Sequence, residues 1–333
     1  MNIVVPMAGM GKRMRPHTLT VPKPLIPFAG KTIVHRLVED IAGVCDQKID
    51  EIGFIIGHFG EAVEKELVAI AESLGAKGKI FYQEEALGTA HAILCAQECL
   101  KGNTIVAFAD TLFRADFKLD TQVDGILWVS QIDDPSAFGV VKVNEQNVIT
   151  DFVEKPTTWV SDLAMIGIYY FADGEKLRSE LQYLVDNNIM NDGEYQLPDA
   201  LKNMTKKGMK FSPGKVREWL DCGNKDATVN SNQRILENIK SELRIPASAK
   251  IENSTIIQPC FVGENVQILN SVVGPHVSLG EKSKVSGSVI SNSIVQSNAL
   301  ISHANMSNSM IGHFAKYESK PADVSLSDYS TLK

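Results

Sequence analysis

The C-terminal part of the chain repeats itself, and this repeat limits the folds that it can adopt. The segments Asn-Ser-Thr-Ile, Asn-Ser-Val-Val and Gly-Ser-Val-Ile begin at positions 253, 270 and 287, two steps of 17 residues. Inside each period an aliphatic residue recurs every five or six positions: Val262, Ile268, Val273, Leu279, Val285 and Ile290. Three short strands per coil around an aliphatic interior give this spacing. The strands of a sandwich, the alternative, do not recur at a fixed interval, so we predict a short hexapeptide-repeat β-helix over residues 246–333.

The preceding part of the chain alternates between strand and helix patterns. Apolar, strand-like runs cover residues 3–6, 52–56, 79–83, 104–108 and 125–129. Amphipathic stretches cover residues 32–41, 61–73, 89–100, 175–185, 195–206 and 226–241, and short strands with little helix fill 138–171. This order predicts an α/β domain over residues 1–240 with a doubly wound, mixed sheet, largely parallel and extended by antiparallel strands. Ligands of such sheets bind at the carboxyl ends of the strands.

Composition excludes several classes of protein. The 333 residues carry a net charge of −7, which argues against a nucleic-acid partner and against an anionic membrane surface. The five cysteines form no Cys-x-x-Cys pair and are odd in number, as in a protein with reduced thiols. The chain shows neither a signal peptide nor an apolar run of membrane-spanning length, so we expect it in the cytoplasm.

A glycine-containing turn directly follows the first predicted strand. Residues 6–13 read Pro-Met-Ala-Gly-Met-Gly-Lys-Arg, and residues 22–24 read Pro-Lys-Pro. A turn without bulky side chains lets a phosphate approach backbone N–H groups, and Arg13 and Lys23 add positive charge to the same place. We therefore predict a nucleoside triphosphate as ligand. A dinucleotide is excluded because no acidic residue follows the glycines at the spacing of the dinucleotide-binding fingerprint.

Further polar residues follow other predicted strands. Gln83 ends a strand, and its amide can both donate to and accept from a pyrimidine edge, while Gly88 opens the next helix. Asp110 and Asp221 each follow a strand and are suitable Mg²⁺ ligands. The alternative for each is an ordinary helix start, turn or cap residue.

The segment Val-Glu-Lys-Pro at 153–156 is the last of these signals. Pro156 keeps the preceding residues extended, so Glu154 and Lys155 project to opposite faces. One of them can hold a phosphate while the other contacts a sugar. A solvated strand end is the alternative.

Along the chain the five segments are the glycine turn with its Pro-Lys-Pro, Gln83 with Gly88, Asp110, residues 153–156 and Asp221. In this order they resemble the sugar-1-phosphate nucleotidyltransferases, most closely the glucose-1-phosphate thymidylyltransferase-like enzymes. Their first motif is roughly Gly-Gly-x-Gly-Thr-Arg, in which Ala8 and Lys12 here replace the first glycine and the threonine. Their Gly-Asp pair appears as Ala109-Asp110. The resemblance covers about the first 235 residues, and many relatives carry a left-handed β-helix as a tail.

The resemblance implies a role for each matching residue. Arg13, Lys23, Asp110, Lys155 and Asp221 are the implied catalytic residues, with Asp110 and Asp221 holding Mg²⁺. The implied nucleotide-binding residues are Ala8, Gly9, Gly11, Lys12, Gln83 and Gly88. Those implied to bind the sugar phosphate are Gly139, Glu154, Lys155, Tyr169 and Glu194.

The implied reaction joins a nucleoside triphosphate, dTTP or UTP, to a hexose-1-phosphate such as glucose-1-phosphate, and releases pyrophosphate. The β-helix favours a homo-oligomer. Two alternatives remain open. The β-helix could carry an acyltransferase with His276, His303 or His313 as general base. The chain could also be a non-catalytic regulator that binds sugar nucleotides.

Overall fold

The computed structural model describes residues 1–9, 11–153, 155–320 and 323–331. It divides into two compact units. The first unit comprises Met1–Ile26 and Thr32–Gly223, and the second comprises Pro27–Lys31 and Asn224–Lys333. The sequence-based boundary between residues 240 and 246 lies later, because the last α-helix groups with the second unit, where its Asn232 accepts a hydrogen bond from Ser278.

The helices lie close to where the amphipathic stretches predict them. Side-chain oxygens of Thr32, Asp173 and Asn224 each accept a backbone N–H in the first turn of a helix, which fixes three of the starts. The predicted helix at 89–100 ends at Cys95 and continues as a 3₁₀ turn, Gln97–Cys99. The α-helices are α1 (Ile33–Val44), α2 (Glu61–Ser73), α3 (Thr89–Cys95), α4 (Gly174–Asp186), α5 (Leu197–Lys206) and α6 (Lys225–Asn238). None of the helices in these described ranges is long and apolar enough to cross a membrane.

Strands outside the repeat form one large sheet and two small ones. They are β1 (Asn2–Pro6), β2 (Pro27–Phe28), β3 (Lys31–Thr32), β4 (Glu51–Ile56), β5 (Lys77–Tyr82), β6 (Thr104–Ala107), β7 (Thr111–Arg114), β8 (Gly125–Gln131), β9 (Val140–Val143), β10 (Ile149–Val153), β11 (Leu163–Phe171), β12 (Phe211–Lys215) and β13 (Glu218–Asp221).

The large sheet is mixed, as the sequence predicts. Its order is β10-β9-β11-β6-β1-β4-β5, with β8 pairing with β11 and β12. Strands β6, β1, β4 and β5 are parallel, whereas β11 is antiparallel to β6, β8 and β9. Residues Ile3, Val4 and Val5 of the central strand are fully buried, as expected for a strand covered on both faces. The parallel strands bring the ends of β1, β5 and β6 to one edge of the sheet.

The repeat region forms three parallel sheets, which confirms the predicted β-helix. Its strands are β14 (Lys250–Glu252), β15 (Thr255–Ile256), β16 (Cys260–Val262), β17 (Gln267–Leu269), β18 (Val272–Val273), β19 (Val277–Leu279), β20 (Lys284–Ser286), β21 (Val289–Ile290), β22 (Ser293–Val295), β23 (Leu300–Ser302), β24 (Asn305–Met306), β25 (Met310–Ile311) and β26 (Lys316–Glu318). Lys250 pairs with Gln267 and Gln267 with Lys284, which is the 17-residue period. All six aliphatic residues of the sequence pattern are buried, with at most 2% exposed.

One corner of the β-helix explains the polar residues of the repeat. Asn253, Asn270, Gly287 and His303 stack there, each with a positive φ, which asparagine and glycine adopt most readily. Beside them, the hydroxyls of Ser254, Ser271 and Ser288 each accept the backbone N–H of the following coil. The repeated Asn-Ser pair therefore forms a corner and bonds one coil to the next.

Candidate active site

A cavity of about 290 Å³ lies in the first unit, where the carboxyl ends of β1, β5 and β6 meet. A second cavity, of about 480 Å³, shares part of this wall and includes Lys12, Arg13 and Gly223. The first cavity is lined by Pro6, Met7, Ala8, Gly9, Gly11, Lys23, Pro24, Gln83, Ala86, Gly88, Thr89, Ala92, Phe108, Ala109, Asp110 and Glu194. The predicted nucleotide-binding residues therefore all line one cavity or the other.

The turn after β1 is shaped by its two glycines in different ways. Gly11 has a φ of 61°, and a Cβ there would lie 2.9 Å from Cβ of Lys23. The bare backbone at Gly11 thus lets Lys23 lie close to the turn, and the hydroxyl of Thr18 donates to Gly11 O at 2.8 Å. Gly9, in contrast, is exposed and a Cβ there would meet nothing within 4 Å. Gly9 leaves an open approach to the backbone of the turn.

The two predicted metal-binding aspartates are brought together by pairing of separate strands. Asp221, at the end of β13, lies opposite Thr111 of β7 in an antiparallel ladder. The next residue, Cys222, donates its backbone N–H to Asp110 O at 2.9 Å. Although 111 positions apart in the sequence (221 − 110), the two carboxylates therefore belong to adjacent stretches of backbone.

Charged groups of both signs meet around these aspartates. Lys23 Nζ lies 2.8 Å from Asp110 Oδ2. Burial is the main reason that the pKa of Asp221 is raised, and the charge of Asp110 adds to this, while Gly223 N–H, Lys23 and Arg13 act in the opposite direction. A Cβ on Gly223 would lie 2.9 Å from Asp221 Oδ1 and 3.1 Å from Arg13 Nη2, so the guanidinium lies beside that carboxylate.

This arrangement fits a divalent cation held jointly with a phosphate. The described residues contain no cluster of three or more His, Cys, Asp or Glu that could hold a metal alone. Asp110 and Asp221 supply two carboxylates whose mutual repulsion a cation would relieve. Mg²⁺ is commonly held in this way, by one or two carboxylates together with phosphate oxygens and water.

The amide of Gln83 is oriented by its neighbours. Nε2 donates to Gly88 O at 3.2 Å and lies 3.3 Å from Nδ1 of His91. Both amide hydrogens are thus directed to protein acceptors, and no described residue donates to Oε1. No role was predicted for His91 from the sequence. Its position in the first turn of α3, close after Gly88, is the signal that could have marked it.

Gly88 lines the cavity, and the backbone of a neighbouring segment leaves no room for a side chain at this position. Its φ is 102°, and a Cβ there would lie 2.5 Å from Tyr195 O. The glycine therefore accommodates the chain at Glu194–Tyr195, with Tyr195 N donating to Leu87 O at 2.8 Å. Glu194 lines the same cavity, and its carboxylate accepts a hydrogen bond from Gln196 Nε2 at 2.8 Å.

The remaining predicted sugar-phosphate residues lie on β9–β11 and the loops between them. Lys155 is exposed and donates its backbone N–H to Phe138 O, while Gly139 O accepts from Met165. The Phe138 ring packs edge-on against Trp219, 4.8 Å between centroids, two residues before Asp221. Neither Lys155 nor Gly139 lines the two cavities.

Tyr169 lies behind the cavity wall. It is 6% exposed and packs edge-on against Phe108, which lines the cavity. Glu154, the last of the predicted sugar contacts, lies outside the described residues.

The cavity lies at the edge of an α/β sheet, beside a glycine turn and the side chains of Lys23, Arg13 and Asp110, and comparison with known proteins identifies the family of the chain. Residues 3–238 match the Nucleotidyl transferase family, so the chain belongs to that family. This confirms the resemblance inferred from the sequence motifs and the expectation of a nucleotidyltransferase enzyme.

Two curated relatives align along most of the chain. The Bifunctional protein GlmU of Methanococcus aeolicus is 28% identical over 98% of this chain and 84% of its own length. The glucose-1-phosphate thymidylyltransferase of Streptomyces antibioticus is 26% identical over 90% of this chain and 88% of its own length. The chain spans 59% of the length of further GlmU relatives from Methanococcus species.

A solved structure shows the same fold. The nucleoside-diphosphate-sugar pyrophosphorylase from Vibrio cholerae matches with a TM-score of 0.59 and 22% identity. The match covers 69% of this chain and 98% of that protein.

Proposed function

We propose that the protein is a sugar-1-phosphate nucleotidyltransferase that joins a nucleoside triphosphate to a sugar-1-phosphate and releases pyrophosphate. The observation that carries this proposal is the meeting of Asp110, Asp221, Lys23 and Arg13 beside the glycine turn. The names of the two curated relatives and the family match support it.

This reaction depends on stabilising phosphate charge and aligning the two substrates more than on proton transfer. An oxygen of the sugar-1-phosphate forms a bond to the α-phosphorus, and the bond from that phosphorus to the bridging oxygen breaks, so pyrophosphate leaves with the electron pair. The attacking phosphate has a second pKa of about 6 and is mostly dianionic at neutral pH. A general base is therefore unnecessary, and catalysis consists of alignment and charge stabilisation.

The residues assigned from the sequence divide this work. Arg13 and Lys23 neutralise the triphosphate and the departing pyrophosphate, and the backbone around Gly9 and Gly11 approaches the phosphates. Asp110 and Asp221 would hold Mg²⁺, which neutralises phosphate charge when it is bound. Lys155 is assigned to the sugar phosphate, with Gly139, Glu154, Tyr169 and Glu194 on the sugar side.

The orientation of Gln83 points to a thymine or uracil base. Its Oε1 is the amide atom left for a ligand, and it can accept the N3–H that these two bases carry. Cytosine has an unprotonated N3 at this position and would face an acceptor with an acceptor. We therefore propose dTTP or UTP as the nucleotide and a hexose-1-phosphate such as glucose-1-phosphate as the second substrate.

The test is a matrix of each nucleoside triphosphate against a panel of sugar-1-phosphates with Mg²⁺, scored by released pyrophosphate. We expect release to require both substrates and to be strongest with dTTP or UTP. Asp110→Asn should lower turnover by about 10²-fold or more, because a metal-binding charge at the reacting phosphate is lost. The control Asp116→Asn removes an exposed carboxylate, paired with Arg217 at 3.1 Å, and should leave turnover unchanged. Absence of pyrophosphate with every pair would refute the proposal.

A second candidate activity, acyl transfer in the second unit, is favoured by one contact. Nε2 of His276 lies 2.7 Å from Oε1 of Glu237, and the hydrogen bond from this histidine lowers the pKa of Glu237. A histidine oriented by a carboxylate can act as a general base. Transfer of an acetyl group from acetyl-CoA to an amino sugar phosphate, lost in His276→Asn, would establish this activity.

We also propose a homo-oligomer in the cytoplasm. The three residues of the last strand, β26, are exposed, and β26 is the end strand of its sheet. An uncovered strand at the end of a β-helix favours association with another chain. Light scattering of the purified protein tests this, and a monomeric mass at micromolar concentration would contradict it.

A further inference from the structure

The carboxylate of Glu194 is held by a chain of hydrogen bonds within the first unit. Its Oε2 accepts from Gln196 Nε2 at 2.8 Å, and Gln196 Oε1 accepts from the hydroxyl of Thr89 at 3.1 Å. The oxygen of that hydroxyl in turn accepts the backbone N–H of Leu197 at 3.0 Å. The chain of hydrogen bonds therefore links a carboxylate of the cavity wall to the first residue of α3.

The hydroxyl of Thr89 determines which way the amide of Gln196 faces. A hydroxyl group has a single hydrogen, and here it is donated to the amide oxygen of Gln196. The N–H₂ group of the same amide is consequently turned toward Glu194. In the reversed orientation the amide oxygen would face the carboxylate, and two acceptors would lie together. The observed arrangement is thus the one in which every donor meets an acceptor.

The backbone that carries Glu194 is fixed on both sides. Glu194 and Asn191 exchange two backbone hydrogen bonds, of 2.9 and 3.0 Å, which close a tight turn. On the other side, Tyr195 N donates to Leu87 O at 2.8 Å, and Tyr195 O accepts from Ala90 N at 2.9 Å. The freedom that remains to the carboxylate is therefore that of its own side chain, which the neighbouring amide restricts.

The second oxygen of the Glu194 carboxylate is available to a ligand. Among the residues that the structure describes, none forms an ion pair with Glu194 and none donates to its Oε1. The residue is exposed and lines the cavity. A carboxylate accepts hydrogen bonds and repels phosphate, so it is suited to the neutral ring of a sugar, whose hydroxyl groups are donors.

We propose that Gln196 is a positioning residue, oriented by Thr89, that holds the Glu194 carboxylate toward a hydroxyl group of the sugar ring. This inference rests on the proposed nucleotidyl transfer and adds a substrate class to it, the sugar-1-phosphates with an unsubstituted hydroxyl at the position that faces Glu194. Because a ring hydroxyl is not a reacting group, its hydrogen bond is equally strong before and in the transition state. Its loss therefore raises KM and leaves kcat unchanged.

The experiment measures pyrophosphate release by the full chain with dTTP and glucose-1-phosphate, or with the pair that reacts fastest in the matrix described above. Gln196→Leu removes the donor at similar size, and we expect the KM for the sugar-1-phosphate to rise about tenfold. The KM for the nucleotide and kcat should stay within a factor of about two of the wild type.

Gln182→Leu is the matched control. Gln182 is exposed on α4 and also donates to a carboxylate, with Nε2 lying 2.7 Å from Asp186 Oδ1, but it lines neither cavity of the site. The same substitution in the same kind of hydrogen bond should therefore leave both KM values unchanged.

Analogues of the sugar separate this role from a structural one. Each monodeoxy analogue of the sugar-1-phosphate lacks one hydroxyl, and one of them lacks the donor to Glu194. We expect Gln196→Leu to lose about tenfold of the wild-type discrimination against that analogue, measured as a ratio of kcat/KM values, and to keep its discrimination against the others. A distorted segment would instead lower activity with the parent sugar and all analogues alike.

Substitutions at Thr89 test the second step of the chain of hydrogen bonds. Thr89→Val, which has a similar shape, should raise the KM for the sugar-1-phosphate as Gln196→Leu does, and Thr89→Ser, which restores the hydroxyl, should recover it. The double variant with valine and leucine should be no worse than either single variant, because both act through Glu194. Thermal melting checks that each variant is folded.

The inference is overturned if folded Gln196→Leu keeps the wild-type KM for the sugar-1-phosphate, if the KM for the nucleotide rises equally, or if discrimination among the monodeoxy analogues is unchanged. In each of these outcomes the wild type is active, so the proposed function stands. Absence of pyrophosphate with the wild type and every substrate pair would refute the proposed function and this inference with it.

Discussion

At the scale of single residues, Lys23 and Asp110 form an ion pair with each other. Their 2.8 Å ion pair joins the lysine that we assign to the phosphates and the carboxylate that we assign to the metal. Arrival of a triphosphate with its cation gives each group a new partner of opposite charge. Lys23 and Arg13 therefore balance the charges of Asp110 and Asp221, which limits the cost of keeping two carboxylates close together.

The charged carboxylate of Asp221 should lower the free energy of unfolding when no cation is bound. Its raised pKa means that the folded protein disfavours the charged form, so the cost is present above the raised pKa and fades as the pH falls through it toward the ordinary value of about 4. We expect Asp221→Asn to raise Tm by about 2 °C at neutral pH, with the difference vanishing in acid, while activity is lost. Thermal melting across pH measures this, and an unchanged or lower Tm at neutral pH would contradict it.

His91 should control base selection through Gln83. Without Nδ1 of His91 as an acceptor, the amide of Gln83 is free to turn and present its N–H₂ group to the base. We expect His91→Leu to reduce the preference for dTTP or UTP over dCTP or CTP about tenfold, mainly through KM, as befits a positioning residue. The kcat with dTTP or UTP should stay within a factor of about two of the wild type. Equal selectivity in variant and wild type would remove this role.

At the scale of elements, the strands were the most predictable part of the fold. Apolar runs bounded by turns placed β1, β4 and β6 within a residue or two of their observed bounds. Residues that follow such strands, such as Asp110, could be assigned to the site because parallel strands end at one edge. The repeat specified the interior of the β-helix equally well, since a buried position recurs in each strand.

What the sequence did not reveal depends on contacts between distant segments. The contact of Gly88 with Tyr195 joins residues 107 positions apart (195 − 88), and no local pattern marks it. For the same reason the segment Pro27–Lys31 could not be assigned to the second unit, although its Ala29 bonds Ser278.

Alanine substitutions at two helix N-caps test whether Gly88 is needed because of its close contact with Tyr195 or only because of its positive φ. Gly88 precedes α3 with φ 102° and Gly60 precedes α2 with φ 91°. A Cβ at Gly60 would meet nothing within 4 Å, whereas one at Gly88 would meet the Tyr195 backbone. We expect Gly60→Ala to cost about 1 kcal/mol from backbone strain and Gly88→Ala about 3 kcal/mol, because overpacking adds to the strain. Denaturant unfolding measures both, and equal costs would show that the contact is unimportant.

At the scale of the whole molecule, the residues assigned to nucleotidyl transfer all belong to the first unit, while the repeat belongs to the second. Each unit has its own hydrophobic core, one around Val106 and Phe171 and one around Val273 and Val285. Stability of stacked coils depends on contacts between neighbours, so a defect in one coil weakens those beside it. A destabilising substitution in the interior of the β-helix should therefore also lower the stability of neighbouring coils in the second unit.

Val285→Ala tests this separation of stability from catalysis. Val285 is fully buried in the β-helix, and its loss of two methyl groups should cost about 2 kcal/mol and reduce hydrogen-exchange protection across neighbouring coils. Val289→Ala, four residues further along the same coil, is the matched control, because that valine is 49% exposed and should change stability by less than about 0.5 kcal/mol. The kcat for pyrophosphate release should be unchanged in both variants at 25 °C. If Val285→Ala lowers kcat while the second unit is still folded, catalysis in the first unit depends on the β-helix, and the expected separation of stability from catalysis is wrong.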